Sequence, residues 1–329
     1  MSNIESWIRE FPEQSRKGLE LGDIPMGSHT APVFVCGMGG SAIAGRYLIS
    51  LLQYLEFRFY PIWLVNSYLS DHFRVPPNAK AIFISYSGNT EETLHNYRII
   101  ASQLQPSNVI AITSGGRLRE TAVANGNTLI ELPKGYAPRH TLGYQLGVLW
   151  ALFVKMGWLR SQRIGQLEHA SERLETTIAE LEQVAKQWSR ETAGKLKWVY
   201  VPAELEPVAI RWKQQINENA KQFAGYHIIP EMSHNELEGF EGNIIPEAIF
   251  MLSYVSLNHR VRKRIKFLEQ LIQEKGIAYF YHEIDTEDLL VATLELTVLG
   301  DWLSYFTALN TGVDPLPVSL IENLKKFLS

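Results

Sequence analysis

Short apolar runs alternate with helix-length amphipathic stretches along the first half of the chain. "APVFVCGMGGSA" is a run, then glycines, then a helix start, and helical spacing continues through "IAGRYLISLLQYL". "FYPIWLVNS" is a second run and "AKAIFISYSG" a third, followed by the amphipathic helix "NTEETLHNYRIIASQL". "SNVIAITSGG" is a fourth, with the short helix "GRLRETAVANG" behind it, and "NTLIELP" is a fifth. Runs of about 5–7 residues between helices of roughly 10–15 predict a parallel sheet with helices on both faces.

The alternation pauses after "YQLGVLWALFVKMG", where a long polar helical stretch covers about 164–192, and then restarts. "KWVYVPA", "AIFMLSYVSL" and "IAYFYHEI" read as strands. "PVAIRWKQQINENAKQFA", "HRVRKRIKFLEQLIQEKG" and "TEDLLVATLELTVLGDWLSYFTALN" read as helices, and the Pro-punctuated end "DPLPVSLIENLKKFL" is helical again. The long helix is apolar on more than one face, as expected where a helix is buried in a domain or an interface. No short-period repeat is present, but both halves share one βα plan. The expected architecture is α/β, with two similar domains that are each a parallel sheet flanked by helices (three-layer αβα). The boundaries are 1–155, a helical linker over 156–193, and 194–329.

Composition narrows the partners. The chain is 46% apolar and 20% charged with net charge -4, which fits a folded soluble protein. No basic block stands out, so neither nucleic acid nor an anionic membrane is an expected partner. An anionic small molecule remains open, because backbone donors bind anions without a basic surface. The single cysteine, Cys36, excludes an intrachain disulfide and a thiolate metal cluster; its place at a strand end suits a small buried apolar residue. The opening "MSNIESWIREFPEQ" carries acids and lacks a long apolar core, and "YQLGVLWALFVKMGW" is too short to span a bilayer. A cytoplasmic location is expected.

Candidate chemistry starts at "CGMGGSA". Gly37-x-Gly39-x-x-Ala42 between strand and helix resembles a dinucleotide fingerprint. The second strand, however, ends in Asn66 and Ser67 rather than in an acid for a ribose, and Glu56 falls before that strand. A nicotinamide cofactor is disfavoured. "FISYSGNTEETL" offers the hydroxyls of Ser85, Ser87 and Thr90 at the end of a second strand. If the two strands are neighbours, these hydroxyls and Ser41 face one crevice with two helix N-termini, which suits a phosphate monoester. The competing reading is helix capping, because Asn89-x-x-Glu92 has a capping-box pattern. Capping would account for Asn89 and Thr90 but not for Ser85 and Ser87.

"GMGGSAIAG" with "SYSGNTEET" resembles the sugar isomerase (SIS) family. The ordered addition of "PRHTLGY", "NENAK", "SHNELEGF" and "DPLPVSLIENLKKFL" resembles its bifunctional phosphoglucose/phosphomannose isomerase branch, from about Phe11 to the end. The resemblance implies two SIS-type subdomains, with the phosphate loops in the first and the catalytic Glu and His in the second. It implies that Gly39, Gly40, Ser41, Ser85, Ser87 and Thr90 hold the sugar phosphate. Arg139 would lie beside the reacting carbons, Glu218 would be the base, and His234 would open the ring. Lys325 would be the active-site lysine, with adjacent Lys326 fitting the same motif. It further implies a homodimer in which His234 reaches the active site of the other subunit, and no cofactor or metal.

These residue types suit the chemistry. An aldose–ketose isomerase needs a carboxylate within hydrogen-bond reach of C1 and C2, and a cation or donor where enediolate charge grows. It also needs an acid–base group for the ring oxygen. The expected reaction interconverts glucose 6-phosphate and fructose 6-phosphate through a cis-enediol(ate). Mannose 6-phosphate is left open, because Leu316 and Val318 stand where the family often carries a threonine. His140, Thr141 and Ser233 are further departures from the family's usual residues. Singly, each candidate has a plain alternative: a solvated helix glutamate, a paired arginine, a loop histidine after a Pro-bounded strand, an exposed lysine. The competing functions are a non-catalytic sugar-phosphate sensor and an isomerase of another phosphosugar.

Overall fold

A computed structural model describes residues 3–56, 58–242 and 245–328. The chain forms two compact units. One is Glu10–Glu175; the other joins Thr176 onward to the N-terminal helix α1 (Asn3–Arg9).

The first unit starts with α2 (Phe11–Gly22) and continues as β1 (Val33–Cys36), α3 (Gly39–Glu56), β2 (Ile62–Val65), β3 (Lys80–Ile84), α4 (Glu91–Ala101), β4 (Val109–Thr113), α5 (Gly116–Ala124) and β5 (Thr128–Glu131). All five strands are parallel, in the order β2-β1-β3-β4-β5. β1 and β4 are buried throughout. That is why their sequences run apolar without alternation: a strand covered on both faces has no solvent side. Cys36 ends β1 inside this core, where burial pushes its thiol well above the ordinary range and leaves it inert. The unit closes with α6 (Leu142–Lys155) and the first part of α7 (Arg163–Glu191). α2 and α6 pack with almost no side chain between them. A Cβ on Gly147 would sit 2.2 Å from the Ser15 carbonyl oxygen, so the pairing tolerates only glycine there.

The second unit takes the rest of α7, then β6 (Lys197–Pro202), α8 (Glu206–Ala220), β7 (Ala224–Ile229), β8 (Ala248–Tyr254), α9 (His259–Glu274), β9 (Ala278–Ile284), α10 (Leu289–Asn310) and α11 (Ser319–Leu328). Its four strands are parallel in the order β7-β6-β8-β9. The order reverses beside the first strand of each sheet, so the shared βα plan of the two halves is a shared topology. α10 is long and apolar enough to cross a membrane by length and composition, but 94% of its apolar window is buried inside the protein. It is the core helix of this unit.

A polar ladder joins α8 to α10 inside that core. The Arg211 guanidinium donates to Asp301 through Nε at 3.0 Å and Nη2 at 2.7 Å. Gln215 Nε2 donates to Asp301 Oδ1 at 3.0 Å, and Asn219 Nδ2 to Ser304 Oγ at 3.0 Å. The spacing 211, 215, 219 is one stripe of a helix. A paired and hydrogen-bonded buried charge adds little net stability but penalises other arrangements. The ladder therefore specifies the rotation of α8 more than it strengthens the core.

Candidate active site

The sheet order of the first unit places the crevice. β1 and β3 lie side by side, with Cys36 opposite Phe83, and the chain leaves them in opposite directions. At such a switch point the two following loops part and leave a cleft at the carboxyl ends of the strands. The loop after β1 carries Gly39, Gly40 and Ser41; the loop after β3 carries Ser85, Ser87 and Thr90. Both lead into helix N-termini, α3 and α4, whose free N–H groups and dipoles favour an anion. The structure thus brings together the two hydroxyl-bearing loops that the sequence only paired conditionally.

The hydroxyls are not equivalent. Ser85 is buried, accepts a hydrogen bond from Gly88 N at 3.1 Å, and shares one with Thr90 Oγ1 at 2.8 Å. It braces the loop. Ser87 is exposed and Thr90 half-buried; Ser87 Oγ receives only a long bond from Asn89 N at 3.3 Å. The capping reading of Asn89 needs correction. Thr90, not Asn89, is the N-cap of α4, and its side chain makes no capping bond. Asn89 Oδ1 instead accepts from Arg117 N at 3.1 Å, satisfying a free donor at the start of α5. The pattern was that of a cap, but the helix it serves is α5, whose Arg117 is 28 residues beyond Asn89 and becomes adjacent only through the sheet.

The β3 and β4 loops lock together. Ser114 Oγ and N donate to Tyr86 O at 2.7 and 2.9 Å, and Leu118 N donates to Gly88 O at 2.9 Å. Gly88 adopts φ +68°, and a Cβ there would fall 1.8 Å from the Gly115 carbonyl oxygen. Gly88→Ala is therefore expected to cost about 1–3 kcal/mol by overpacking, and roughly 1 more for the left-handed backbone. Chemical denaturation of the full chain measures it. A cost below about 0.5 kcal/mol would mean the loops are not interlocked.

Arg139 sits in a short 3-10 turn, Pro138–His140, just before α6, and is buried. A Cβ on Gly40 would lie 3.3 Å from the Arg139 Cα, so the start of α3 and the arginine turn touch backbone to backbone. Tyr86 ties the same region down. Its hydroxyl donates to Pro133 O at 2.8 Å and accepts from Tyr136 N at 3.1 Å. Glu56, the acid near the offset of a ribose ligand, is buried at the end of α3, where it accepts from Arg163 Nε at 2.9 Å and pairs with Arg160 at 3.0 Å. It is a structural anchor, which removes the remaining support for a dinucleotide.

In the second unit, Glu218 is half-buried on the last turn of α8. The motif "NENAK" separates by role. Asn219 belongs to the ladder onto α10, and Asn217 Nδ2 donates to Gln222 O at 2.6 Å to close the helix end. Lys221 takes the left-handed position, φ 55°, and its Nζ lies 3.5 Å from Pro315 O, beside the C-terminal segment. Both neighbours of Glu218 are therefore committed to holding the helix end.

His234 ends a 3-10 turn, Glu231–His234, beyond β7 and is exposed. Glu236, two residues beyond it, is anchored to the sheet. Tyr200 OH donates to its Oε1 at 2.5 Å, and His227 Nδ1 lies 3.1 Å from its Oε2. Burial and this carboxylate push the Tyr200 hydroxyl far above its ordinary range, which keeps it a donor. Glu218 precedes β7 and His234 follows it. The six residues of β7 rise roughly 20 Å, so the backbone runs from one end of the sheet to the other between them. Lys325 and Lys326 lie on α11, which has no buried residue.

Sequence reasoning passed over Tyr86, Ser114 and Glu236. "ITSGG" after β4 repeated the hydroxyl-plus-glycine signature of the β3 loop and was a usable signal for Ser114. Nothing local marked Tyr86, whose partners are 47 and 50 residues away.

Two parallel α/β units, the first with paired hydroxyl loops at its switch point, define the SIS class of protein. The family described as Bacterial phospho-glucose isomerase C-terminal SIS domain matches residues 181–328. The fold is shared with the C-terminal domain of glucosamine-fructose-6-phosphate aminotransferase from Francisella tularensis (TM-score 0.71, 16% identity, 96% of this chain and 98% of that one). Over 300 residues the chain is 35% identical to the bifunctional phosphoglucose/phosphomannose isomerase of Aquifex aeolicus (strain VF5), covering 90% of each. It belongs to the bifunctional phosphoglucose/phosphomannose isomerase family. A D-glucosamine-6-phosphate 4-epimerase from Sulfolobus acidocaldarius is also similar, at 31% identity over 72% of each chain.

Proposed function

We propose that this protein is a cytoplasmic aldose–ketose isomerase that interconverts glucose 6-phosphate and fructose 6-phosphate, and also accepts mannose 6-phosphate. The observation that carries the reading is the pairing of the Ser41 and Ser85–Thr90 loops at the β1/β3 switch point of a chain in this family. The substrate phosphate lies against Gly39, Gly40, Ser41, Ser87 and Thr90, with Ser85 shaping the loop. A dianion is held there by N–H groups, hydroxyls and two helix ends, which explains binding without a basic patch. Glu218 takes the proton from one of C1 and C2 and returns it to the other. Arg139 faces the enediolate oxygen, where a cation contributes several kcal/mol to the transition state. His234 transfers the proton that opens the ring, and Lys325 supports the substrate from the C-terminal helix.

The length of β7 supports a dimeric assembly. A ring-opening group and a C1/C2 base must both reach one hexose, which is far smaller than the length of that strand. Glu218 and His234 of one chain stand at its opposite ends. This separation supports a homodimer in which each active site takes His234 from the partner, a symmetric arrangement that would supply two complete sites.

The similarity to a 4-epimerase supports one second reading, action on another phosphosugar through the same phosphate loops. A coupled assay with glucose 6-phosphate, mannose 6-phosphate and glucosamine 6-phosphate separates them. Turnover of the first supports the proposal; turnover of only the last replaces it; binding of fructose 6-phosphate without any turnover makes the protein a sensor. Ser87→Ala with Thr90→Ala is expected to raise KM by about tenfold or more, through the loss of two hydrogen bonds to a charged group, with kcat much less affected. Unchanged KM returns both residues to loop shaping.

A further inference from the structure

Helix α9 opens with "HRVRKRIKF", and its cations are treated unequally by the fold. Arg262 pairs with Glu283 at 2.8 Å. Arg260, Lys263 and Arg264 instead line one hollow of about 330 Å³, together with Ser233, Leu237 and Phe267. Among the described residues no acidic side chain lies within 4.0 Å of any of these three cations. Arg264 makes only a long bond of 3.5 Å to the Arg260 carbonyl of its own helix. The spacing 260, 263, 264 places all three on one face, where like charges repel. They also sit in the positive half of the helix, whose first turn contains no acid to offset them. The free protein gains nothing from this arrangement, and a bound anion would relieve it.

We propose that this hollow is a second ligand site, for a phosphorylated small molecule of the nucleoside di- or triphosphate class. Three unpaired cations, two of them guanidinium forks suited to phosphate oxygens, match a ligand with about three or more negative charges. A hexose monophosphate carries two. The hollow also has an apolar wall: Leu237 and the Phe267 ring, 55% exposed, offer a surface for a flat base. Its volume is that of a small-molecule pocket rather than of a single ion. The lining residues all belong to the second unit, and none of them is a residue of the phosphate loops. Ser233 in its wall precedes His234, so the ligand touches the turn that presents the histidine. This last link rests on the proposed function; binding itself does not.

Titration calorimetry of the full chain with ADP, ATP, inorganic pyrophosphate and fructose 6-phosphate tests it. ADP and ATP should bind with an affinity that falls steeply with salt. Arg260→Gln with Lys263→Gln and Arg264→Gln should weaken ADP by roughly tenfold or more, while Ser87→Ala with Thr90→Ala leaves it unchanged. Phe267→Ala should weaken ADP more than pyrophosphate. In the absence of ligand the triple variant should melt no lower than the parent, because only repelling surface charges are removed. No ADP binding at millimolar concentration, or undiminished binding by the triple variant, overturns the site. Loss of ADP binding in the Ser87/Thr90 variant moves the ligand to the crevice of the first unit and overturns it as well. Equal binding of pyrophosphate and ADP overturns the nucleoside assignment. Saturating ADP should change kcat for the hexose phosphate; an unchanged kcat with binding intact overturns only the link to His234.

Discussion

Glu218→Gln should lower kcat for fructose 6-phosphate by roughly 10³-fold and leave KM nearly unchanged. A positioned general base contributes about 10²–10⁴-fold, and Gln keeps the size and hydrogen-bonding reach of Glu while removing its basicity. The fold should survive the change. α8 is held to α10 by Arg211, Gln215 and Asn219, and its end is closed by Asn217, with Glu218 outside the ladder. Because Gln keeps the shape and hydrogen-bonding reach of Glu, the variant should melt close to the parent. Deuterium incorporation at C1 of fructose 6-phosphate in heavy water gives an independent readout, because a missing base stops the exchange along with the net reaction. Near-normal turnover or exchange in Glu218→Gln would falsify the base assignment.

Mixing two dead variants should restore activity. On the proposed assembly, Glu218→Gln and His234→Ala should each disable both sites of their own dimers. In a mixed dimer one site receives the intact Glu218 of one chain and the intact His234 of the other. Random pairing makes about half of the dimers mixed, with one good site of two, so roughly a quarter of parental activity should return. The physical basis is the length of β7, which keeps the two groups of a single chain apart. Co-refolded mixtures that form mixed dimers, verified by differential tagging, and still show no recovery would place both groups of one chain in one site. The dimer argument from β7 would then fail.

Much of this was legible in the chain itself. The apolar runs marked β1 and β4 most plainly, because strands covered on both faces run apolar throughout, whereas the edge strands β2 and β5 are partly exposed. "CGMGGSA" and "FISYSGNTEETL" announced loops leading into helix N-termini, since glycine and small hydroxyl residues are what such turns accept. "NENAK", by contrast, did not reveal which of its polar residues were structural. Asn217 and Glu218 are equally half-buried, and only the packing of α8 on α10 separates the roles of Asn219 and Glu218. Asn89 shows the same limit. Its spacing to Glu92 is a capping pattern, yet its side chain serves the helix after the neighbouring strand.

What the sequence determined by itself is local: which segments extend, which of the longer stretches coil into helices, and which residue types are present for the chemistry. Periodicity and turn chemistry act over a few residues and survive in any fold. Adjacency was decided by the tertiary structure alone. The order β2-β1-β3 brings the Ser41 loop beside the Ser85 loop, and the packing of α8 on α10 assigns Asn219 to the polar ladder. Contacts between strands form across many residues of separation and are selected by burial of the whole sheet, so no short stretch of the chain encodes them.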